Sequence, residues 1–215
     1  MLFQVIMQVI RLGTYDANAY LVDGIILVDA GMDGLAVISE LEKHIQPEQL
    51  ETIILTHCHY DHSGGAGVAA EVTGAKIAIH KDDAPLLTSA QASAAQLFGE
   101  KAPEISPDIL LRGGEIFDEL LVIHTPGHTP GSICLYNADS KTLFSGDTVF
   151  PEGSFGRTDL YGGSASQLIE SIKKLTLLDV GVMYPGHGDM VKNNASEQIK
   201  MSFMMASQYS GTSFI

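Results

Sequence analysis

Along this chain, short apolar runs rich in β-branched residues alternate with stretches patterned as helices. Strands are predicted near Phe3 to Ile10, Ala19 to Val22 and Ile25 to Val28, then a helix near Leu35 to His44, then a strand at Thr52 to Leu55. A helix over Ala66 to Thr73 and a strand over Lys76 to His80 follow. After an irregular stretch come strands near Leu120 to His124, Ser132 to Tyr136 and Thr142 to Ser145, a helix from Ala165 to Leu175 and a strand at Val182. The second half thus repeats the β-β-α-β order of the first. Such alternation suits two sheets face to face with helices outside, and equally a doubly wound parallel sheet.

Composition narrows the class of protein. The 215 residues contain no Pro/Ser-rich linker or low-complexity tract, so residues 1–215 read as one domain. A net charge of −14 with only 12 Lys and Arg argues against a nucleic-acid partner, because phosphate backbones are held by clustered cations. Met1 to Ile10 is apolar but too short to span a bilayer, and it lacks the basic start and cleavage site of a signal peptide. It reads as a first strand, and no membrane association is expected. Cys58 and Cys134 make no disulfide framework, which points to reduced thiols and a cytoplasmic protein.

The chemistry is concentrated after the Thr52 to Leu55 run, where His57-Cys58-His59-Tyr60-Asp61-His62 packs four metal-binding side chains into six positions. Each of these, if buried without a partner, would cost several kcal/mol, and a divalent cation is a partner that fits all four. In an extended segment His57 and His59 point the same way and converge on one ion. Asp61 and His62 come as the chain turns toward the Ala66 to Thr73 helix, whose positive end favours an ionised Asp61, so they can face a second ion. Further donors must come from downstream. Thr125-Pro126-Gly127-His128, Ser145-Gly146-Asp147 and Tyr184-Pro185-Gly186-His187 each follow a strand-like run and place glycine just before the polar residue, where a sharp backbone can aim it inward.

This ordered set resembles the metallo-β-lactamase superfamily, specifically its glyoxalase II-like hydrolases, from Asp29 to His187. The resemblance implies an αββα sandwich of two mixed sheets with helices outside. It implies that His57, His59 and His128 hold one metal, that Asp61, His62 and His187 hold the other, and that Asp147 bridges. True β-lactamases of the superfamily carry no such bridging aspartate, so the family name is not an activity. The family also places Asp29 behind the metal loop, where hydrogen bonds orient ligands. Full-length glyoxalase II enzymes grip glutathione with a helical C-terminal domain, whereas Gly188 to Ile215 follow the last ligand here. The Gly153 to Asp159 loop resembles the short, single-domain subgroup.

One ion can lower the pKa of its bound water to about 7, and a pair roughly 3.5–4 Å apart can clamp attacking and leaving atoms. The expected reaction is attack of that hydroxide on a small-molecule ester or thioester, with Asp61 orienting the nucleophile and taking its proton. Zinc suits the mixed imidazole and carboxylate donors, as do iron and manganese. Arg157 offers a forked donor for a substrate carboxylate or, equally, an ion pair with Asp159. Gln91 to Pro107, long for a connection, is placed at the pocket rim as a lid. His80 and His124 are read as structural, His44 as solvated, and Met201, Phe203, Met204 and Met205 as core or subunit packing. The rival functions are a mononuclear-iron persulfide dioxygenase, which shares the His cluster and a Gly-Arg-Thr-Asp loop, an acyl-homoserine lactonase, and a non-catalytic metal-binding module.

Overall fold

The computed structural model describes residues 7–209. Strands β1 (Val9–Tyr15), β2 (Ala17–Val22), β3 (Ile26–Val28), β4 (Thr52–Ile54), β5 (Lys76–His80) and β6 (Ile109–Leu111) form one sheet in sequential order. Within it β1, β2 and β3 pair antiparallel, and β3 through β6 pair parallel. The second sheet has the order β11-β10-β9-β8-β7, built from β7 (Ile116–Phe117), β8 (Leu120–His124), β9 (Ile133–Asn137), β10 (Thr142–Gly146) and β11 (Val182–Pro185). Its one parallel pair is β10 with β11. Both sheets are therefore mixed, and the doubly wound alternative does not apply.

Side-chain alternation explains why the sheets stack. On β2 to β5, Leu21, Leu27, Ile53, Ile77 and Ile79 face one way, into a core shared with α1 (Gly34–Leu41) and α3 (Ala66–Thr73). Their sequence neighbours Tyr20, Val22, Ile26, Val28, Ile54 and Ala78 face the other way and meet Leu120, Val122, Ile133, Leu135 and Phe144 of the second sheet. The far side of that sheet, including Cys134, Tyr136, Leu143 and Met183, is covered by α4 (Ala165–Leu175) and α5 (Ala195–Tyr209). Strands apolar on both faces are what a sheet buried on both sides requires. α4 shows the complementary pattern, with Leu168, Ser171, Ile172 and Leu175 on its buried stripe. The architecture is helix, sheet, sheet, helix.

Several expectations change. β1 runs to Tyr15, beyond the predicted Ile10, and Phe3 to Ile6 lie outside the described residues. α1 ends at Leu41 rather than His44, and Asp33 caps its start by accepting from Leu35 N and Ala36 N. Asp61 lies in the first turn of a separate short helix, α2 (Tyr60–Ser63), not beside the start of α3. On α5, Phe203 packs on the third core while Met201, Met204 and Met205 are exposed, so core packing does not describe the methionines. No helix among the described residues is long and apolar enough to cross a membrane.

Candidate metal centre

Strand direction gathers the site at one edge. β3 and β4 are parallel and end at Asp29 and at the His57 loop. β8 is antiparallel to β9, and β9 to β10, so β8 and β10 run together, with β11 parallel to both. Their carboxyl ends deliver His128, Asp147 and His187. Two glycines let the backbones approach. Gly127 has φ of 137°, and a Cβ there would lie 2.2 Å from Leu168 N at the start of α4. A Cβ on Gly186 would lie 2.2 Å from Asp147 Oδ1.

All seven predicted donors converge. Donor atoms of His57, His59 and His128 lie within 4.8 Å of one another, as do those of His57, His62 and Asp147, and those of Asp61, His62 and His187. His57 Nε2 is 3.1 Å from His59 Nδ1, and His62 Nε2 is 3.3 Å from His187 Nε2. Asp147 spans the groups, with Oδ1 3.2 Å from His62 Nε2 and Oδ2 3.5 Å from His128 Nε2 and 3.4 Å from His187 Nε2. Asp61 Oδ2 is 3.2 Å from His187 Nε2.

The outer nitrogen of four rings is already engaged. His62 Nδ1 donates to Asp29 Oδ2 at 2.8 Å, His128 Nδ1 to the Arg157 carbonyl at 2.8 Å, and His187 Nδ1 to the Asp16 carbonyl at 2.7 Å. His57 Nδ1 lies 3.1 Å from Thr56 Oγ1, which donates to Asp29 Oδ2 at 2.8 Å. Such bonds fix the tautomer and turn the opposite lone pair inward. His59 Nε2, His128 Nε2 and Asp147 Oδ1 are buried and have no hydrogen-bond partner. No protein donor meets the His59 and His128 nitrogens in this buried pocket, and a cation would. The donor set therefore fits a metal pair.

The electrostatics point the same way. Burial, then the rings of His62, His128 and His59, hold His57 well below the usual imidazole range, and burial with His128 brings His59 down to about 3. Burial opposes charge on His62 and His187 too, but Asp147, Asp29 and Asp61 lift His62 well above that range, and Asp147 and Asp61 raise His187 to about 10. Asp147, despite burial, is held well below the carboxylate range chiefly by His62. Asp61 and Asp147 are thus ionised and His57 and His59 neutral, the states in which they bind metal.

Several contributors are not evident from the motif. Asp83, fully buried, accepts from Cys58 N at 2.8 Å, Thr129 Oγ1 at 2.7 Å and Gly131 N at 2.6 Å, and so ties the His57–His59 loop to the segment after His128. Thr56, the Asp16 carbonyl and the Arg157 carbonyl act through bonds that only tertiary structure reveals. An aspartate just past a strand, as Asp83 is past β5, was the one available signal.

Other expectations resolve directly. Arg157 Nε and Nη2 bond both oxygens of Asp159 at 2.7 Å, the ion-pair alternative, while the side chain also lines the pocket. Ala94, Leu97 and Phe98 put the Gln91 to Pro107 segment at the pocket rim. His80 and His124 stack on each other, with centroids 3.9 Å apart and planes at 15°. His80, Asp82 and His124 also bring donor atoms together, but in nearly parallel rings the lone pairs do not share a target. His44 is exposed, and both cysteines are buried and unpaired.

Known proteins resemble this chain in sequence and fold. The chain is 34% identical over 187 residues to the probable metallo-hydrolase YqgX of Bacillus subtilis, covering 82% of this chain and 87% of that one. It is 33% identical over 201 residues to the probable metallo-hydrolase MJ0888 of Methanocaldococcus jannaschii, covering 87% and 95%. Among solved structures, TTHA1623 in a di-iron-bound form superposes with a TM-score of 0.75 at 28% identity, over 92% of this chain and 96% of that one. The BLEG-1 B3 metallo-β-lactamase gives 0.75 at 30% identity, over 93% and 96%. The metallo-β-lactamase superfamily model matches residues 12–187, which span every donor described above. With fold, donor order and relatives in agreement, this chain belongs to the metallo-β-lactamase superfamily.

Proposed function

We propose that the protein is a hydrolase dependent on two divalent metal ions that cleaves small-molecule esters or thioesters, in the manner of the glyoxalase II-like branch. The observation that carries this reading is Asp147, whose two oxygens reach toward histidines of both groups. His57, His59 and His128 would hold one ion and Asp61, His62 and His187 the other, with Asp147 shared. Zinc is the first choice and iron the second, and similarity to a protein crystallised in di-iron form supports paired occupancy. Bound there, such ions acidify water and stabilise negative charge developing on a carbonyl oxygen.

The chain's own residues supply the rest. Asp61 lies in the pocket lining and is held ionised by His62 and His187 against its burial, so Asp61 Oδ2 can orient the attacking water and accept its proton. Leu97, Phe98, Phe150, Phe155 and Leu160 wall the pocket with apolar surface. No serine or cysteine nucleophile is needed, and the Cys58 thiol, pushed up by burial and by Asp83, is unsuited to the role.

The likeness to BLEG-1 supplies a second reading, cyclic amide hydrolysis. A side-by-side assay of p-nitrophenyl acetate, S-D-lactoylglutathione and nitrocefin with metal-loaded protein separates the two. Ester or thioester turnover that disappears in Asp61→Ala is the expected result, and nitrocefin turnover alone would replace this proposal with the second.

A further inference from the structure

A second concavity shares one wall residue with the metal-ligand pocket. The pocket, a cavity of about 400 Å³, is bounded on one side by Leu97 and Phe98. Phe98 also walls a neighbouring groove of about 490 Å³ with Met32, Leu35, Tyr60 and Val68. Phe98 lines both, and the Tyr60 ring stands 6.2 Å from it on the groove side. Here the surface is unusually apolar, since Leu35 is 67% and Leu97 59% exposed, and Val68 and Phe98 are also open to solvent. Exposed apolar surface beside a candidate catalytic pocket is a common form of ligand site.

The charges say what kind of ligand fits. Among the described residues lining cavity and groove, Arg157 is the single Lys or Arg, and its guanidinium is already paired with Asp159 through two hydrogen bonds. The groove's own charged residues are acidic. Asp33 has one oxygen committed to capping α1, and Glu100 adds a second carboxylate. An anionic extension of the substrate would meet carboxylates and no free cation. A hydrocarbon chain would meet Phe98, Tyr60, Leu35 and Val68.

We infer that the substrate carries an uncharged apolar chain that leaves the metal-ligand cluster, passes the Phe98 ring and lies in the groove between Leu35 and Val68. This inference rests on the hydrolase reading above. It predicts neutral acyl esters or thioesters as better substrates than the multiply charged glutathione conjugates.

The test uses metal-loaded protein and two series, p-nitrophenyl esters from acetate to decanoate and S-alkyl thioacetates of matching lengths. The expected result is a rise in kcat/KM of roughly 10–100-fold from the shortest to the C8 member of at least one series, carried mostly by KM, since each buried methylene adds to binding. Leu35→Asp, Val68→Asp and Phe98→Ala should each flatten that rise. The first two positions are exposed and tolerate a polar side chain, so an unchanged Tm and metal content identify folded variants. If the short members turn over but both wild-type series are flat, or if the rise survives all three substitutions, the inference is overturned while the hydrolase reading stands. If no ester or thioester turns over, both fall.

Discussion

Asp29 and His62 are joined by a 2.8 Å bond between Oδ2 and Nδ1, although 33 positions separate them in the chain. Asp29 sits in left-handed backbone at φ 57° just after β3, and its other oxygen accepts Thr56 N at 2.7 Å. One carboxylate thus steers His62 directly and His57 through the Thr56 hydroxyl. Replacing it with alanine should lower affinity for metal about 10–100-fold without removing a donor, because such supporting bonds fix ring orientation. Isothermal titration of the chelated Asp29→Ala protein with zinc measures this, and wild-type affinity would contradict it.

Asp83 has no atom in the donor cluster, yet three buried hydrogen bonds converge on it. Asp83→Ala leaves those donors unmet and should destabilise the fold by about 3 kcal/mol or more. Asp83→Asn should fall between, because all three partners donate and an amide presents only one acceptor oxygen. Urea denaturation of metal-loaded proteins would show the order wild type, Asn, Ala. Equal midpoints would remove Asp83 from the account.

Gly127 carries a steric prediction. Since a Cβ there would strike the α4 backbone, and φ of 137° disfavours L side chains, Gly127→Ala must displace either α4 or His128. A lower Tm together with loss of metal from the His128 side is expected. A variant with unchanged Tm and metal content would show that the loop has slack.

Metal removal should reverse the dependence of stability on pH. In the metal-free protein His62 and His187 are lifted above their unfolded values by the carboxylates, so their contribution is complete below pH of about 6.5 and declines as pH rises toward 10. Loaded protein needs the same rings neutral, so ion binding releases protons and strengthens as pH rises. Thermal scans from pH 6.5 to 10 should therefore show the Tm of chelated protein falling and the gap between loaded and chelated protein widening. Parallel curves would contradict the assignment of these rings.

The donors were legible because each is a strongly polar residue just beyond an apolar run, and strand ends in an α/β fold collect at one edge. His57 through His62, His128, Asp147 and His187 needed only that rule and their order. What supports them was hidden. Asp16 and Arg157 contribute backbone carbonyls, which any residue could supply, and Thr56 and Asp83 are ordinary loop polars until the sheets stack. Strand β7, two residues long, falls below the length at which alternation can be read, whereas β6, as long as β3 and β4, lay inside the stretch read as irregular. The exposed groove at Leu35 and Val68 was hidden for the opposite reason, since on a helix an apolar residue reads first as core.

The central claim, a metal pair bound by seven converging side chains and used for hydrolysis, is tested most directly by metal content and turnover measured on one sample. Elemental analysis of purified protein, paired with p-nitrophenyl acetate and S-D-lactoylglutathione hydrolysis before and after chelation, should give two ions per chain and activity that vanishes and returns with them. Asp147→Ala should retain fewer than two ions and little activity. A chelated wild-type protein that hydrolyses at the original rate, or an Asp147→Ala protein that keeps both ions, would contradict the account.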